Sequence, residues 1–219
     1  VTRRDLSSDC SENGANVSAT MAVYGPEEFK TKSGRKVIFR TCSAADAHLF
    51  PDFHRFIASE TTHTYQIPGR VPEHEKLREA WESSEKDDTA IRLGAFFEGR
   101  LVGQLNLHSS HAPRHPWTTH RAHFGMMIIK EFWSDGMGRR MLQIMESHAR
   151  RVGITRIEAE ARVKNDRGMK LYLSMGFKIE GVRKRASFIN GTMEDEYYIA
   201  KLLDGTSTSS TRFDGEVME

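Results

Sequence analysis

Two short segments of this chain combine residue types that could hold a phosphate and move a proton. The first is a glycine-rich turn, Trp133-Ser134-Asp135-Gly136-Met137-Gly138-Arg139, which leads into an amphipathic stretch. Backbone N–H groups at a helix N-terminus have no internal partners, and the helix dipole favours an anion there. The second segment carries Tyr172 on the next predicted helix. Together they indicate a nucleotide-like cofactor beside a tyrosine that serves as a proton donor.

Each segment also has a purely structural interpretation. Gly136 and Gly138 could simply let a helix pack closely on its strand, and Tyr172 could be amphipathic packing. The turn lacks the Gly-Lys-Ser/Thr of a Walker A phosphate-binding loop. Met141 stands where the dinucleotide-binding fingerprint has its third glycine. Neither segment therefore identifies a function by itself.

The elements that would position these residues can be predicted from periodicity and turn signals. Asn190-Gly191 is a strong hairpin signal, and Pro51 should interrupt the first helix or open a second part of it. The pattern predicts one mixed α/β domain with a sheet of about six or seven strands. The predicted strands are 36–40, 90–97, 101–108, 121–129, 156–162, 177–185 and 196–203, and the predicted helices are 44–59, 72–85, 136–152 and 166–174.

Composition restricts the class of protein. The 219 residues suggest one domain, 23–203, between Ser-rich, polar tails at 1–22 and 204–219 that we expect to be disordered. Lys and Arg number 32 against 30 Asp and Glu, so a general nucleic-acid-binding role is disfavoured. Two cysteines cannot form a disulfide framework or a zinc cluster, and no membrane span or signal peptide is visible. We expect a cytoplasmic protein.

The first segment resembles the cofactor motif of the GNAT superfamily of acyl-CoA-dependent N-acyltransferases. That motif has an apolar strand, then Gln or Arg, two residues, Gly, one residue, and Gly or Ala. Here Ile128 takes the strand position, and Gly136 and Gly138 take the two glycine positions. Trp133 replaces the usual Gln or Arg, which is a departure from the pattern.

The second segment resembles the other motif of the same family, and every spacing is kept. Asn165 is followed by Gly168 in place of the usual alanine, by Leu171-Tyr172, and by Gly176-Phe177. The resemblance covers about residues 36–203 and is strongest over 125–177. It is similar to the bacterial-type branch that contains ribosomal-protein, antibiotic and amino-acid-analogue acetyltransferases.

The resemblance implies an α+β domain with a mixed, mostly antiparallel sheet flanked by about four helices. It implies that acetyl-CoA is the cosubstrate and that Tyr172 protonates the departing CoA thiolate. Backbone N–H groups of the strand near Met127 and Ile128 would polarise the thioester carbonyl. The implied cofactor-binding residues are Ile128, Ile129, Ser134, Asp135, Gly136, Met137, Gly138, Arg139, Asn165, Arg167 and Lys170.

The general base is left open among four residues. An amine must be neutral to attack a thioester, so a base or a water chain to one is needed. The candidates are His123, His120 and His108, which suit the task because histidine titrates near neutral pH, and Glu60. The histidines around residues 108–123 match no zinc-ligand spacing, so we expect no metal.

We therefore expect an N-acetyltransferase that acetylates a primary amine by direct transfer in a ternary complex. The acceptor would be a small molecule such as an amino acid or analogue, a polyamine or an aminoglycoside. The alternatives are a protein or peptide N-terminus of the ribosomal-protein type, and a non-catalytic CoA-binding module. We expect no membrane partner, and a homodimer is consistent with the resemblance.

Overall fold

An open eight-stranded sheet forms the centre of the fold. The computed structural model describes residues 23–109 and 115–204, so the predicted tails lie outside the described residues except for Asp204. The strands are β1 Glu27–Lys30, β2 Lys36–Thr41, β3 Ile91–Phe97, β4 Arg100–Ser109, β5 Arg121–Ile128, β6 Arg156–Arg162, β7 Lys178–Ile189 and β8 Thr192–Leu202. The helices are α1 Phe50–Glu60, α2 His74–Ser84, α3 Met137–Arg151 and α4 Asp166–Ser174.

Neighbouring strands of the sheet follow the order β1-β2-β3-β4-β5-β6-β8-β7. Every neighbouring pair is antiparallel except β5 and β6, which are parallel and joined through α3. Their pairing covers only three residue pairs, from Arg121 opposite Arg156 to His123 opposite Glu158. Beyond His123 the two strands separate, which opens a gap in the middle of the sheet.

Helix α3 closes the sheet on one side with an apolar face. Its methionines recur at helical spacing, while its arginines occupy the other faces, as the sequence predicts. The helix ends before Gly153, whose φ of +78° is a conformation that glycine adopts at low cost. The buried residues of α3 are Met137, Met141, Leu142, Ile144, Met145, His148 and Ala149.

Helix α1 begins where proline permits it. Pro51 lies in its first turn, where the missing N–H costs nothing. A 3₁₀ turn over Ala44–Leu49 precedes the helix, so the proline opens a second helical piece as predicted. Phe53 and Ile57 bury the inner face of α1. Within residues 23–109 and 115–204, no helix is both long and apolar enough to cross a membrane.

The predicted fold class is confirmed, with one more strand than the predicted maximum. Strand β1 was missed because it is a four-residue edge strand with polar residues. Strands β7 and β8 extend to the Asn190-Gly191 turn, beyond the predicted ends. A register shift between Arg183 and Ser187, with Arg185 at φ +55°, interrupts the alternation there and explains the early predicted end.

Asp135 fastens the glycine-rich turn to the first hairpin of the sheet. Its buried carboxylate accepts hydrogen bonds from the Ser33 backbone N–H and Oγ, each at 2.7 Å, and pairs with Arg35 at 3.3 Å. Its carbonyl accepts a bond from the N–H of Lys32 at 3.1 Å. Burial by itself would raise the pKa of Asp135, but the Ser33 hydrogen bonds and the Arg35 charge hold it below the usual value.

Replacing Asp135 with Ala should lower the free energy of unfolding by about 1–3 kcal/mol, because two charge-assisted hydrogen bonds are lost. The exposed Asp52, which pairs with Arg55 on α1, provides the matched control. Asp52→Ala should change stability by less than about 0.5 kcal/mol. Urea titration at neutral pH measures both.

The pH dependence gives a second readout of the same change. A depressed pKa stabilises the fold above the ordinary aspartate pKa of about 3.9 and ceases to do so as the pH falls through the lowered value. The difference between wild type and Asp135→Ala should therefore shrink in acid. An equal loss from Asp52→Ala, or a pH-independent difference, would contradict the assignment.

Candidate functional site

A cavity of about 1070 Å³ occupies the gap between β5 and β6. Its walls are the separated parts of these strands, the N-terminal ends of α3 and α4, and the loop that follows α1. Residues that are distant in sequence therefore share one space. The predicted site residues that line it are His123, Ile128, Ser134, Gly136, Gly138, Arg139, Asn165, Arg167, Lys170 and Tyr172.

Backbone donors along β5 alternate between its two edges. The Ile129 N–H donates to the Val102 carbonyl of β4, and the same register directs the Met127 N–H towards β4. The N–H groups of Met126 and Ile128 then face the gap. Of the two residues expected to polarise a carbonyl, Met127 therefore directs its N–H into the β4 ladder, whereas Ile128 directs its N–H to the gap.

Ile129 is likewise engaged within the fold. Its N–H bonds to Val102, its carbonyl accepts from the Phe132 N–H, and its side chain is buried outside the cavity wall. The carbonyl of Ile128 accepts a hydrogen bond from the Trp133 indole at 2.7 Å. Of these two isoleucines, only Ile128 presents a backbone N–H to the cavity.

The turn before α3 leaves helical N–H groups directed at the cavity. Ser134 and Gly136 adopt left-handed conformations, with φ of +63° and +93°, and no side chain caps the helix at Gly136. The first helical hydrogen bond of α3 runs from the Arg140 N–H to the Gly136 carbonyl. The N–H groups of the residues from Met137 to Arg139 therefore remain available as donors. Such an arrangement binds anions.

Two of the predicted cofactor residues in this turn have side chains that face the protein. The Asp135 carboxylate bonds to Ser33, and Met137 is fully buried in the core. Their backbone groups stay in the predicted set, whereas their side chains do not reach the cavity wall. Gly138 serves packing as well, since a Cβ there would lie 2.9 Å from Leu171 Cδ2.

Basic side chains surround the rim near this turn. Arg167 donates to Ser134 Oγ at 2.5 Å and lies over the Trp133 ring, 5.0 Å from its centre. Arg139 donates to Ser174 Oγ at 2.8 Å. These contacts place positive charge beside the open helix N-terminus.

Helix α4 begins at the same cavity. Asn165 caps it, since its Oδ1 accepts a hydrogen bond from the Gly168 N–H at 3.0 Å. A Cβ at Gly168 would come within 2.5 Å of the Asn165 amide nitrogen, which accounts for glycine at this position. The cap fixes the direction from which the rest of α4 enters the core.

Tyr172 lies on the inner face of α4. Its ring packs edge-on against Phe124 and Phe177, with ring centres 5.6 and 6.0 Å away. The hydroxyl makes no hydrogen bond to any of the described residues, although the residue lines the cavity. Burial raises the pKa of Tyr172 to about 12, so the phenol keeps its proton at neutral pH.

The candidate bases are separated by the structure. His123 lines the cavity, and its Nε2 lies 2.5 Å from Oε2 of Glu160 on β6. His108 lies next to His123, with ring centres 5.5 Å apart. His120 is exposed in the turn before β5 and does not line the cavity.

Glu60, the acidic candidate, has a structural role at the end of α1. Its carboxylate accepts a hydrogen bond from the Lys130 N–H at 2.7 Å, and it is not part of the cavity wall. The structure therefore brings His123 and Tyr172 into one cavity and leaves Glu60 and His120 outside it.

Comparison with known proteins shows the family. A model of the acetyltransferase (GNAT) family matches residues 54–177, which is more than half of the chain. The chain belongs to the GNAT family. The L-amino acid N-acetyltransferase AaaT of Escherichia coli is 30% identical over 127 residues, which are 56% of this chain and 75% of AaaT.

Solved GNAT structures share the fold. A GNAT acetyltransferase from Streptococcus pneumoniae superposes with a TM-score of 0.71 at 25% identity and covers 76% of this chain and 99% of its own. YncA from Salmonella typhimurium, solved with its cofactor acetyl-CoA, gives a TM-score of 0.67 at 16% identity. The match covers 78% of this chain and 96% of YncA. This GNAT chain is an acetyl-CoA-dependent acyltransferase.

Sequence reasoning missed several polar residues of the GNAT cavity. Glu160 occupies the outward face of β6, where alternation made it resemble an ordinary solvated position. Lys32 comes from the β1–β2 turn, and its place was hidden because β1 was not predicted. The loop after α1 also lines the cavity, through Thr61, His63, Thr64, Tyr65 and Gln66.

The phenol of Tyr172 should titrate near pH 12, well above an ordinary tyrosine near 10. Phenolate absorbance is measured after a rapid pH jump in the wild type and in Tyr172→Phe. The difference between the two curves gives the titration of Tyr172 alone. The exposed ring of Tyr198 supplies Tyr198→Phe as a control for the amplitude of one phenol. A Tyr172 step centred near pH 10 would show that burial does not perturb it.

Proposed function

We propose that this GNAT protein acetylates the primary amine of a small molecule, with an amino acid or a close analogue as the leading class. The observation that carries the proposal is the convergence of three groups on one cavity. An open helix N-terminus, an unpartnered buried phenol and a His–Glu pair all line it. The ternary-complex geometry of direct transfer requires all three in one space.

The cavity suits the chemistry of acetyl-CoA. Its pyrophosphate would meet the N–H groups of the turn from Ser134 to Arg139, and Arg167 and Lys170 would add charge nearby. The Ile128 N–H and Asn165 would hold the pantetheine arm. Bound there, acetyl-CoA supplies the acetyl group as a thioester.

Tyr172 suits the role of general acid. Its raised pKa keeps the proton on Oη at neutral pH, and the proton would go to the departing thiolate sulfur. The rings of Phe124 and Phe177 fix where this hydroxyl lies. The N–H group of Met126 would polarise the carbonyl from the other side.

The His123–Glu160 pair suits the role of general base. It spans β5 and β6 at the point where their pairing ends, so it faces the space an acceptor amine would occupy. The pair would take one proton as the amine nitrogen forms its bond to the acetyl carbon and the C–S bond breaks. The acceptor class is supported by the likeness to AaaT, an L-amino acid N-acetyltransferase.

The first test is thiol release from acetyl-CoA against amino acids and analogues, polyamines, aminoglycosides and basic peptides, with Tyr172→Phe in parallel. We expect turnover with L-amino acids and at least a roughly 100-fold lower kcat for Tyr172→Phe. Binding of acetyl-CoA, measured by calorimetry, should be retained. Turnover with peptides alone would favour a protein N-terminus as acceptor, and an unchanged kcat would remove Tyr172 as the acid.

Glu160→Gln should lower kcat by about 10- to 100-fold while leaving acetyl-CoA affinity unchanged, because the pair loses its carboxylate. Glu158→Gln is the matched control. Glu158 lies two residues earlier on the same face of β6. It forms ion pairs with Arg121 and Arg156 and is not part of the cavity wall. Equal losses in both variants would indicate a general effect on β6.

A further inference from the structure

Arg162, at the end of β6, is a buried arginine with unused hydrogen-bonding capacity. Its side chain is only 7% exposed. Among the described residues, its Nε and Nη1 have no hydrogen-bond partner. Nη2 makes one long bond, 3.4 Å to the carbonyl of Thr64. Buried guanidinium donors are normally satisfied, because leaving a charged group without partners is costly.

The nearest carboxylate does not meet this demand. Glu196 lies 3.8 Å from Arg162 Nη1, which is beyond hydrogen-bond reach. Its oxygens instead accept from the Tyr65 hydroxyl at 2.9 and 3.0 Å, from Ser187 Oγ at 2.5 Å and from Arg183 at 3.2 Å. Glu196 therefore balances part of the charge of Arg162 without satisfying its N–H groups.

Arg162 lies immediately behind the acceptor side of the cavity. Thr64 and Tyr65 line the cavity and also contact Arg162, whose guanidinium is 5.4 Å from the centre of the Tyr65 ring. The nearby His63, on the same loop and in the cavity wall, also has a buried ring nitrogen without a partner among the described residues. Two of the described residues with buried, unpartnered polar atoms, Arg162 and His63, therefore lie close together at this end of the cavity.

The spacing along β6 relates Arg162 to the proposed base. Residues two apart on a strand share one face, and they are separated by roughly 6.6 Å. Glu160 and Arg162 are such a pair. An α-amino acid carries its amine and carboxylate on one carbon, so its two groups could reach these neighbouring side chains together.

We propose that Arg162 binds the carboxylate of the acceptor, which makes an α-amino acid, rather than a simple amine, the preferred substrate. This inference rests on the proposed function. The carboxylate enters between Arg162 and the Thr64–Tyr65 loop and accepts from Nε and Nη1, a two-bond geometry that guanidinium favours. The amine is then directed towards Glu160 and His123.

The experiment compares the best L-amino acid acceptor with its carboxamide, which keeps the amine and side chain but lacks the negative charge. Wild type should prefer the acid in kcat/KM. Arg162→Gln should lower kcat/KM for the acid by about 10- to 100-fold, mainly through KM, and leave the carboxamide nearly unchanged. The preference for the acid should then disappear.

Arg183→Gln is the matched control, since Arg183 also contacts Glu196 but is 38% exposed. Arg183 also lies 3.7 Å from Glu160, so the comparison uses the preference for the acid over the carboxamide and not the absolute kcat. It should keep the preference for the acid. Loss of the preference in both variants would assign the effect to Glu196 and overturn the proposal. A wild type without any preference, or an unchanged preference in Arg162→Gln, would also overturn it.

Two further measurements keep the result decisive. If Arg162→Gln does not fold, Arg162→Lys keeps the charge but not the two-bond geometry, and an intermediate loss of preference is expected. An unchanged preference there would count against the proposal. The L-amino acid should also raise the Tm of wild type with CoA bound, but not that of Arg162→Gln. This binding arm tests the carboxylate site even if no acceptor is acetylated, an outcome that would refute the proposed function.

Discussion

Parallel pairing between β5 and β6 lasts for only three residue pairs, and the cavity follows from its ending at His123 and Glu158. A buried strand edge must satisfy its N–H and C=O groups. On β5 the alternation leaves the N–H groups of Met126 and Ile128 facing the gap, while the other edge remains bonded to β4. Leaving these N–H groups unpaired lowers the stability of the fold, and the same groups are the donors to which a ligand can bond.

Three contacts hold the segment that leads from β5 to α3. Trp133 bonds to the Ile128 carbonyl at the end of β5, and Glu60 bonds to the Lys130 N–H just beyond it. Asp135 holds the following turn against the first hairpin. The three contacts fix the path from β5 to α3, so the helix N-terminus points at the gap.

Local features of the sequence were predictable, whereas contacts across the sheet were not. The Asn165 cap, the glycine turn and Tyr172 depend on spacing within one segment, and the structure brings them together at the cavity. Glu160 and Arg162 carry no such local signal, because their surroundings depend on which strands pair with β6. Glu60 is a candidate base by residue type, but the N–H to which its carboxylate bonds lies 70 residues away.

Tyr172 belongs to the hydrophobic core, in one cluster with Phe124 and Phe177, whereas the loop carrying Tyr65 and Gln66 lies outside that cluster. The two halves of the cavity are therefore anchored to parts of the molecule with different tolerance to change. Core positions are constrained by close packing, while surface loops accept substitution and insertion. Divergence of such a chain can alter which amine is admitted without moving Tyr172. Because the core and the loop tolerate substitution differently, related chains can keep one reaction while the acceptor changes.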